Sequence, residues 1–246
     1  MKLKVLGSGS AGNCYLLQNE KEILMLECGL PYKTILRGLK FNLSNIVGCL
    51  VSHEHKDHSK AVKELISSGI DVYTSVGTSQ KLDIDDCAVN SYRLSFLKGE
   101  EQCNIGNFTV LPFETEHDAA EPLGFLIQHE DMGKLLFITD SYYCRYKFSG
   151  LNHIMIECNY SSDILQQNIE KGLIHPVLAG RLLKSHFSFE NVKEFLKETD
   201  LSSVREITLL HLSDGNSNAE RFKEEIERLT GVPTHVADRD LEIELF

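Results

Sequence analysis

Three histidines and an aspartate fall within six positions in His53-Glu54-His55-Lys56-Asp57-His58, directly after the apolar run Cys49-Leu50-Val51. Imidazole is the commonest protein ligand for zinc-like ions, and a neighbouring carboxylate adds a hard oxygen and a negative charge. In an extended segment His53 and His55 point to the same side, where they can grip one ion together. Asp57 and His58 follow where the chain must turn, and they can face a second ion. One short loop thus seeds two metal sites. A loop that merely caps the next helix would need only one such side chain.

A strand over 47–51 must deliver this loop, and a helix over 59–68 must carry the chain away. Apolar alternation predicts further strands at 2–6, 14–18, 22–27, 71–75, 91–96, 107–113, 123–128, 134–138, 153–157, 206–210, 235–237 and 242–245. Helical periodicity falls at 31–39, 163–171, 176–184, 189–197 and 218–229, the last opened by the capping-box pair Ser217 and Glu220. Strands dominate early and helices later, with no linker and no repeat. Two sheets packed face to face with helices outside fit this order, as one domain over 1–246. The glycine-rich Gly7-Ser8-Gly9-Ser10-Ala11-Gly12-Asn13 lacks a following helix and a Lys-Ser/Thr pair, so it reads as a wide hairpin turn rather than a phosphate cradle.

Two ions need more than four ligands, and further candidates occur where strands end: Glu116-His117-Asp118, Thr139-Asp140-Ser141 and Leu210-His211-Leu212. Each is weak alone. Together with the first loop they make a candidate binuclear set.

The net charge of −11 leaves no global attraction for DNA, RNA or anionic membrane, while two bound dications would still draw an anionic substrate to the site itself. Cys14, Cys28, Cys49, Cys87, Cys103, Cys144 and Cys158 contain no C-x-x-C pair and mostly lie in apolar runs. They read as reduced core thiols of a cytoplasmic protein. No apolar run reaches the length of a membrane span, and the N-terminus reads as a strand rather than a signal peptide.

These motifs, in this order and spacing, resemble the metallo-β-lactamase superfamily, with its H-x-H-x-D-H loop, later His, Asp and final His. Within it the chain is most similar to YycJ-type proteins, and more broadly to RNase Z and the phage anti-Pycsar phosphodiesterases. The likeness includes Gly7 to Asn13, His117-Asp118-Ala119, Thr139-Asp140, Glu157-Cys158-Asn159, Ser185-His186-Phe187-Ser188 and His211-Leu212-Ser213. It implies a four-layer αββα sandwich of α/β class and two divalent metal ions. By the same likeness His53, His55 and His117 hold the first ion, Asp57, His58 and His211 the second, and Asp140 bridges both. Zinc suits the histidine-rich sets, and manganese fits the mixed nitrogen and oxygen donors. Glu27 stands where relatives carry Asp; YycJ proteins also usually have His, Gly and Asn in place of Tyr160, Ser185 and Ser217.

A water shared by two dications is largely deprotonated at neutral pH, which suits attack on a phosphodiester. Asp57 is expected to orient that nucleophile while also binding the second ion, and Glu157 and His186, which resemble the extra polar pair of RNase Z-like enzymes, to deliver a proton to the leaving oxygen. A phosphodiesterase opening a small, cyclic nucleotide is the first expectation. A YycJ-like DNA exonuclease or other nuclease is the alternative, with thioester or lactone hydrolysis and a non-catalytic metal-stabilised scaffold behind it. Homodimers are the assembly that the resemblance implies.

Overall fold

The computed structural model describes residues 1–82, 84 and 91–246; Cys87 lies outside them. In chain order its first elements are β1 (Lys2–Gly7), β2 (Cys14–Gln18), β3 (Ile23–Leu26), α1 (Tyr32–Gly38), β4 (Ile46–Leu50), α2 (Lys56–Ser59), α3 (Val62–Ser67), β5 (Val72–Ser75), α4 (Val76–Lys81) and β6 (Leu94–Leu97). There follow β7 (Cys103–Ile105), β8 (Phe108–Glu114), β9 (Leu123–His129), β10 (Gly133–Ile138), β11 (His153–Glu157), α5 (Ser162–Glu170), α6 (Pro176–Ser185) and α7 (Phe189–Glu198). The last are β12 (Glu206–Leu210), α8 (Ala219–Thr230), β13 (Thr234–Val236) and β14 (Glu242–Glu244). The chain divides into two compact units, one of Met1–Glu114, Ala119–Met132 and Asp238–Phe246, the other of Thr115–Asp118 and Gly133–Ala237.

In the first unit seven strands run in the order β14-β1-β2-β3-β4-β5-β6. The β14-β1-β2-β3 part is antiparallel, and β3 to β6 are parallel. Helices follow β3, β4 and β5, as parallel neighbours require a crossover. Leu16, Met25 and Cys49 on the sheet and Val51 just past β4 pack with Ile35 of α1, Leu39 at its end, and Val62, Leu65 and Ile66 of α3. Burying each large aliphatic side chain stabilises by about 1.5–3 kcal/mol, so β4 is firmly seated and its C-terminal end delivers the histidine loop to a defined place. The three strands β7, β8 and β9 pair antiparallel.

The expected helix at 59–68 forms as two pieces, α2 and α3. Between them the Ala61 amide donates to the Cys28 carbonyl, and Ser59 Oγ donates to the carbonyls of Glu54 and His55. Those bonds hold the ligand loop, and the helix is interrupted to make them.

The second unit is built on the parallel run β10-β11-β12-β13. Phe137, Ile156 and Leu209 are fully buried, the near-continuous apolar pattern of a parallel sheet covered on both faces. The ladder pairs Ile138 with Ile156 and Glu157 with Leu210, so β10, β11 and β12 end side by side. Neighbouring strands lie about 4.8 Å apart, and residues at those ends are thereby brought within reach of one another. Phe189 of α7 stacks on Phe222 of α8 with ring centroids 4.2 Å apart. Helix α8 is capped by Asn218, whose side chain accepts from the Arg221 amide, not by Ser217. Ser217 Oγ instead donates to the Ser213 carbonyl at 2.6 Å, which takes it out of the capping position.

Candidate metal centre

In the first unit the loop after β4 is held from three sides. The Ser52 amide donates to Glu27 Oε1 at 3.1 Å, and the amides of Asn13 and Cys28 donate to the carbonyls of Asp57 and His58 at 2.8 Å each. Gly29 passes so close that a Cβ there would stand 1.7 Å from the Asp57 carbonyl oxygen, so only glycine fits. Asn13, fully buried in the glycine-rich turn, also directs its side-chain amide at His58 Nε2, 3.2 Å away. That turn is a support for the ligand loop.

His53 Nδ1 lies 2.8 Å from Ser52 Oγ, which leaves Nε2 facing His55 Nδ1 at 3.1 Å. Two imidazole nitrogens on a tetrahedral zinc at about 2.0–2.1 Å stand about 3.4 Å apart, so this pair has the spacing of a shared ion. The His53 and His58 rings are 4.2 Å apart at their centroids, and Asp57 Oδ2 lies 3.6 Å from His58 Nε2. Glu27 reaches His58 Nδ1 at 3.3 Å from a backbone with φ of 63°. Burial pushes the Glu27 carboxyl up, and His58 and Ser52 only partly oppose it.

The second unit gathers His117, Asp140, Glu157, His186 and His211. His117 Nδ1 lies 2.7 Å from the Ser185 carbonyl at the end of α6, so Nδ1 carries the hydrogen and Nε2 presents its lone pair, 3.7 Å from Asp140 Oδ2. Burial lowers the pKa of His117, favouring that neutral form. His211 Nδ1 sits 2.7 Å from Asp140 Oδ1 and 3.5 Å from Glu157 Oε1, on a strained backbone with φ of 51°. Burial alone would lower the His211 pKa, yet the carboxylates of Asp140 and Glu157 push it up to about 10. A field that holds a proton so tightly is equally suited to a divalent cation. One ligand atom from each of Asp140, Glu157, His186 and His211 lies within 4.8 Å of the others.

Glu157 is fully buried and accepts hydrogen bonds from the Ser141 and Phe187 amides at 3.0 Å each, while His186 Nδ1 lies 2.6 Å from its other oxygen. Burial and the Asp140 charge work to raise its pKa, but His186 and His211 hold it below the ordinary glutamate range. His186 is raised despite burial, because Glu157 and Asp140 face it. It ends α6 in extended backbone, and Ser188, not His186, caps α7.

Sequence patterns singled out every one of these titratable groups. They assigned no bracing role to Asn13, to Ser141, whose Oγ accepts from the Glu116 amide at 3.0 Å, or to the Ser185 carbonyl. Asn13 and Ser141 act through short polar side chains of types common in any turn, and Ser185 through its carbonyl, which carries no side-chain signature. The one available signal was an asparagine closing a turn of three glycines.

A family model for the anti-Pycsar protein Apyc1 matches residues 1–75. The exodeoxyribonuclease YycJ of Bacillus anthracis is 26% identical over 234 residues, covering 89% of this chain and 85% of that protein. Among solved structures, the metallo-β-lactamase fold protein YhfI from Bacillus subtilis aligns with a TM-score of 0.73 at 17% identity over 99% of both chains. The short form of human tRNase Z aligns with a TM-score of 0.66 at 15% identity over 100% of both. With two mixed seven-stranded sheets flanked by helices, this chain has the metallo-β-lactamase fold, as its motifs led us to expect.

Proposed function

We propose that the protein is a metal-dependent phosphodiesterase that opens a small, cyclic nucleotide by adding water at phosphorus. His53, His55 and His117 would hold one divalent ion, Asp57, His58 and His211 the other, and Asp140 both. On this reading residues 1–246 are one catalytic domain. When bound, the ions supply a water that ionises near neutral pH and positive charge for the phosphate oxygens. Imidazole-rich donors favour zinc, with manganese as the other candidate.

The observation that carries this reading is the pair of buried Glu157 and part-buried His186, 2.6 Å apart beside Asp140 and His211. Glu157 holds the proton on His186 Nδ1 and keeps the ring cationic. The opposite nitrogen is free to give its proton to the departing alcohol oxygen as the phosphorus–oxygen bond breaks. Asp57, about a quarter exposed, turns the incoming water toward phosphorus. Hydrolysis of a phosphodiester needs this leaving-group proton.

The net charge of −11 and the match to the Apyc1 family support a small nucleotide over a long polyanion. Similarity to YycJ along most of the chain favours the second reading, a DNA exonuclease. Metal-reconstituted protein, assayed on 3′,5′-cyclic nucleotides, bis(p-nitrophenyl) phosphate, DNA, RNA, a thioester and a lactone, decides between them. Turnover of cyclic nucleotides with DNA intact is expected; degradation of DNA with cyclic nucleotides untouched would install the exonuclease instead.

A homodimer is part of the proposal, supported by exposed apolar side chains at Leu173, Val177, Leu178 and Leu183 on and before α6. No helix among the described residues is long and apolar enough to cross a membrane. A cytoplasmic setting fits the thiols of Cys14, Cys28, Cys49 and Cys158, which are fully buried as small apolar groups.

A further inference from the structure

Arg181 on α6 donates from Nε to Asp118 Oδ2 at 2.8 Å. The other oxygen of the same carboxylate lies 3.7 Å from His117 Nε2, the nitrogen whose lone pair is presented to the cluster. A single carboxylate therefore separates the guanidinium from a metal-ligand atom. The Arg181 side chain is 64% exposed, and its terminal NH₂ groups have no partner among the described residues. Four of its five N–H donors are thus left pointing away from Asp118.

An exposed arginine–carboxylate pair contributes little to folding, so stability is a weak reason for this arrangement. Substrate charge is a better one. The second unit's cluster already carries the carboxylates of Asp118, Asp140 and Glu157, in a chain of net charge −11. The Asp118 side chain is 41% exposed beside the buried imidazole of His117, so its charge opposes an anionic ester drawn to that histidine. Arg181 offsets that charge, and Asp118 in turn fixes the planar fork so that its free edge is preorganised for phosphate.

We propose that Arg181, positioned by Asp118, is the substrate-phosphate anchor of the site, donating to a non-bridging oxygen of the phosphodiester. The inference rests on the phosphodiesterase reading for its substrate, and it extends that reading to a residue outside the metal-ligand and proton-transfer sets. Because charge spreads over the non-bridging oxygens during displacement, the contact acts on both binding and turnover. Arg181→Lys keeps the charge but loses the fork, so it restores only part of the function.

The test uses the metal-loaded protein and two readouts. Calorimetric titration with inorganic phosphate should show affinity falling about tenfold or more in Arg181→Ala, less in Arg181→Lys, with metal content unchanged in both. Hydrolysis of the Rp and Sp diastereomers of a 3′,5′-cyclic phosphorothioate should differ in the wild type, and Arg181→Ala should change that ratio about fivefold or more, since sulfur accepts hydrogen bonds weakly. Asp118→Asn, which releases the arginine, should move both readouts in the same direction by a smaller factor. Unchanged phosphate affinity in a folded, metal-loaded Arg181→Ala protein would overturn the anchor, as would an unaltered diastereomer ratio. If the wild type leaves every cyclic ester intact, the phosphodiesterase reading falls, and the phosphate titration still decides the role of Arg181.

Discussion

The loop from His53 to His58 and the cluster around Asp140 reach similar chemistry by opposite routes. In the first, four candidate ligands are consecutive or nearly so, and their relative placement follows from the covalent chain, since neighbouring Cα atoms are about 3.8 Å apart. In the second, His117, Asp140, Glu157, His186 and His211 come from five separate segments, and only the parallel register of β10, β11 and β12 with the end of α6 assembles them. The loop is locally encoded and needs bracing. The cluster is encoded by the sheet, and its bracing is the sheet itself.

Deleting a ligand from either region should erase this contrast, and it is the largest effect expected. His53→Ala and Asp140→Ala should each lose bound metal and turnover together, read by elemental analysis beside phosphodiester hydrolysis. Full activity in a metal-depleted variant would defeat the proposed chemistry. Next in size are the changes that separate metal from proton transfer in the cluster alone. His186→Ala and Glu157→Gln should keep the metal while turnover drops about 10²- to 10⁴-fold; a parallel loss of metal from His186→Ala would make that residue a ligand instead.

Bracing is probed by smaller effects. Asn13→Ala removes the amide aimed at His58 and the bracing of the loop, so metal affinity should weaken about tenfold or more while the fold persists. A chelator competition titration measures it, and an unchanged midpoint would show that the loop stands without its turn. Glu27→Asp tests whether the longer carboxylate is needed to reach both Ser52 and His58 from its left-handed backbone, with a loss of the same order or less.

The smallest effect lies away from both regions. Glu22 in the first unit accepts from the Asn107 amide and side chain and faces His129 Nε2 at 3.2 Å. Burial works to raise its carboxyl, but these partners hold it below the ordinary glutamate range. A depressed carboxyl contributes stability that is fully present above the unfolded-state value and disappears as pH falls through the folded one. Glu22→Gln should therefore cost about 1–2 kcal/mol near neutral pH and flatten the acid limb of the unfolding curve, measured by denaturant titration from neutral to acid pH.

Strand and helix patterns were readable because apolar residues repeat at short intervals, and most expected elements formed within a residue or two. The misses are instructive. Helix 59–68 is broken because the Ala61 amide and the Ser59 hydroxyl are recruited to hold the ligand loop, a demand that periodicity does not register. Strand β7 and helix α4 are short and were not anticipated. Ser217 and Glu220 have capping-box spacing, but Ser217 finds a better acceptor at the Ser213 carbonyl and Asn218 takes the cap.

By itself the amino-acid order determined that a dense set of imidazoles and carboxylates would follow β4, because those ligands are neighbours along the chain and a short extended segment must turn His53 and His55 the same way. Only the tertiary structure decided what surrounds them: which oxygen of Glu157 meets His186, that the Ser185 carbonyl orients His117, and that Asp118 ties Arg181 to the cluster. Those relations join residues far apart in sequence through hydrogen bonds of about 3 Å, a length scale at which strand register and helix placement, not residue type, select the partner.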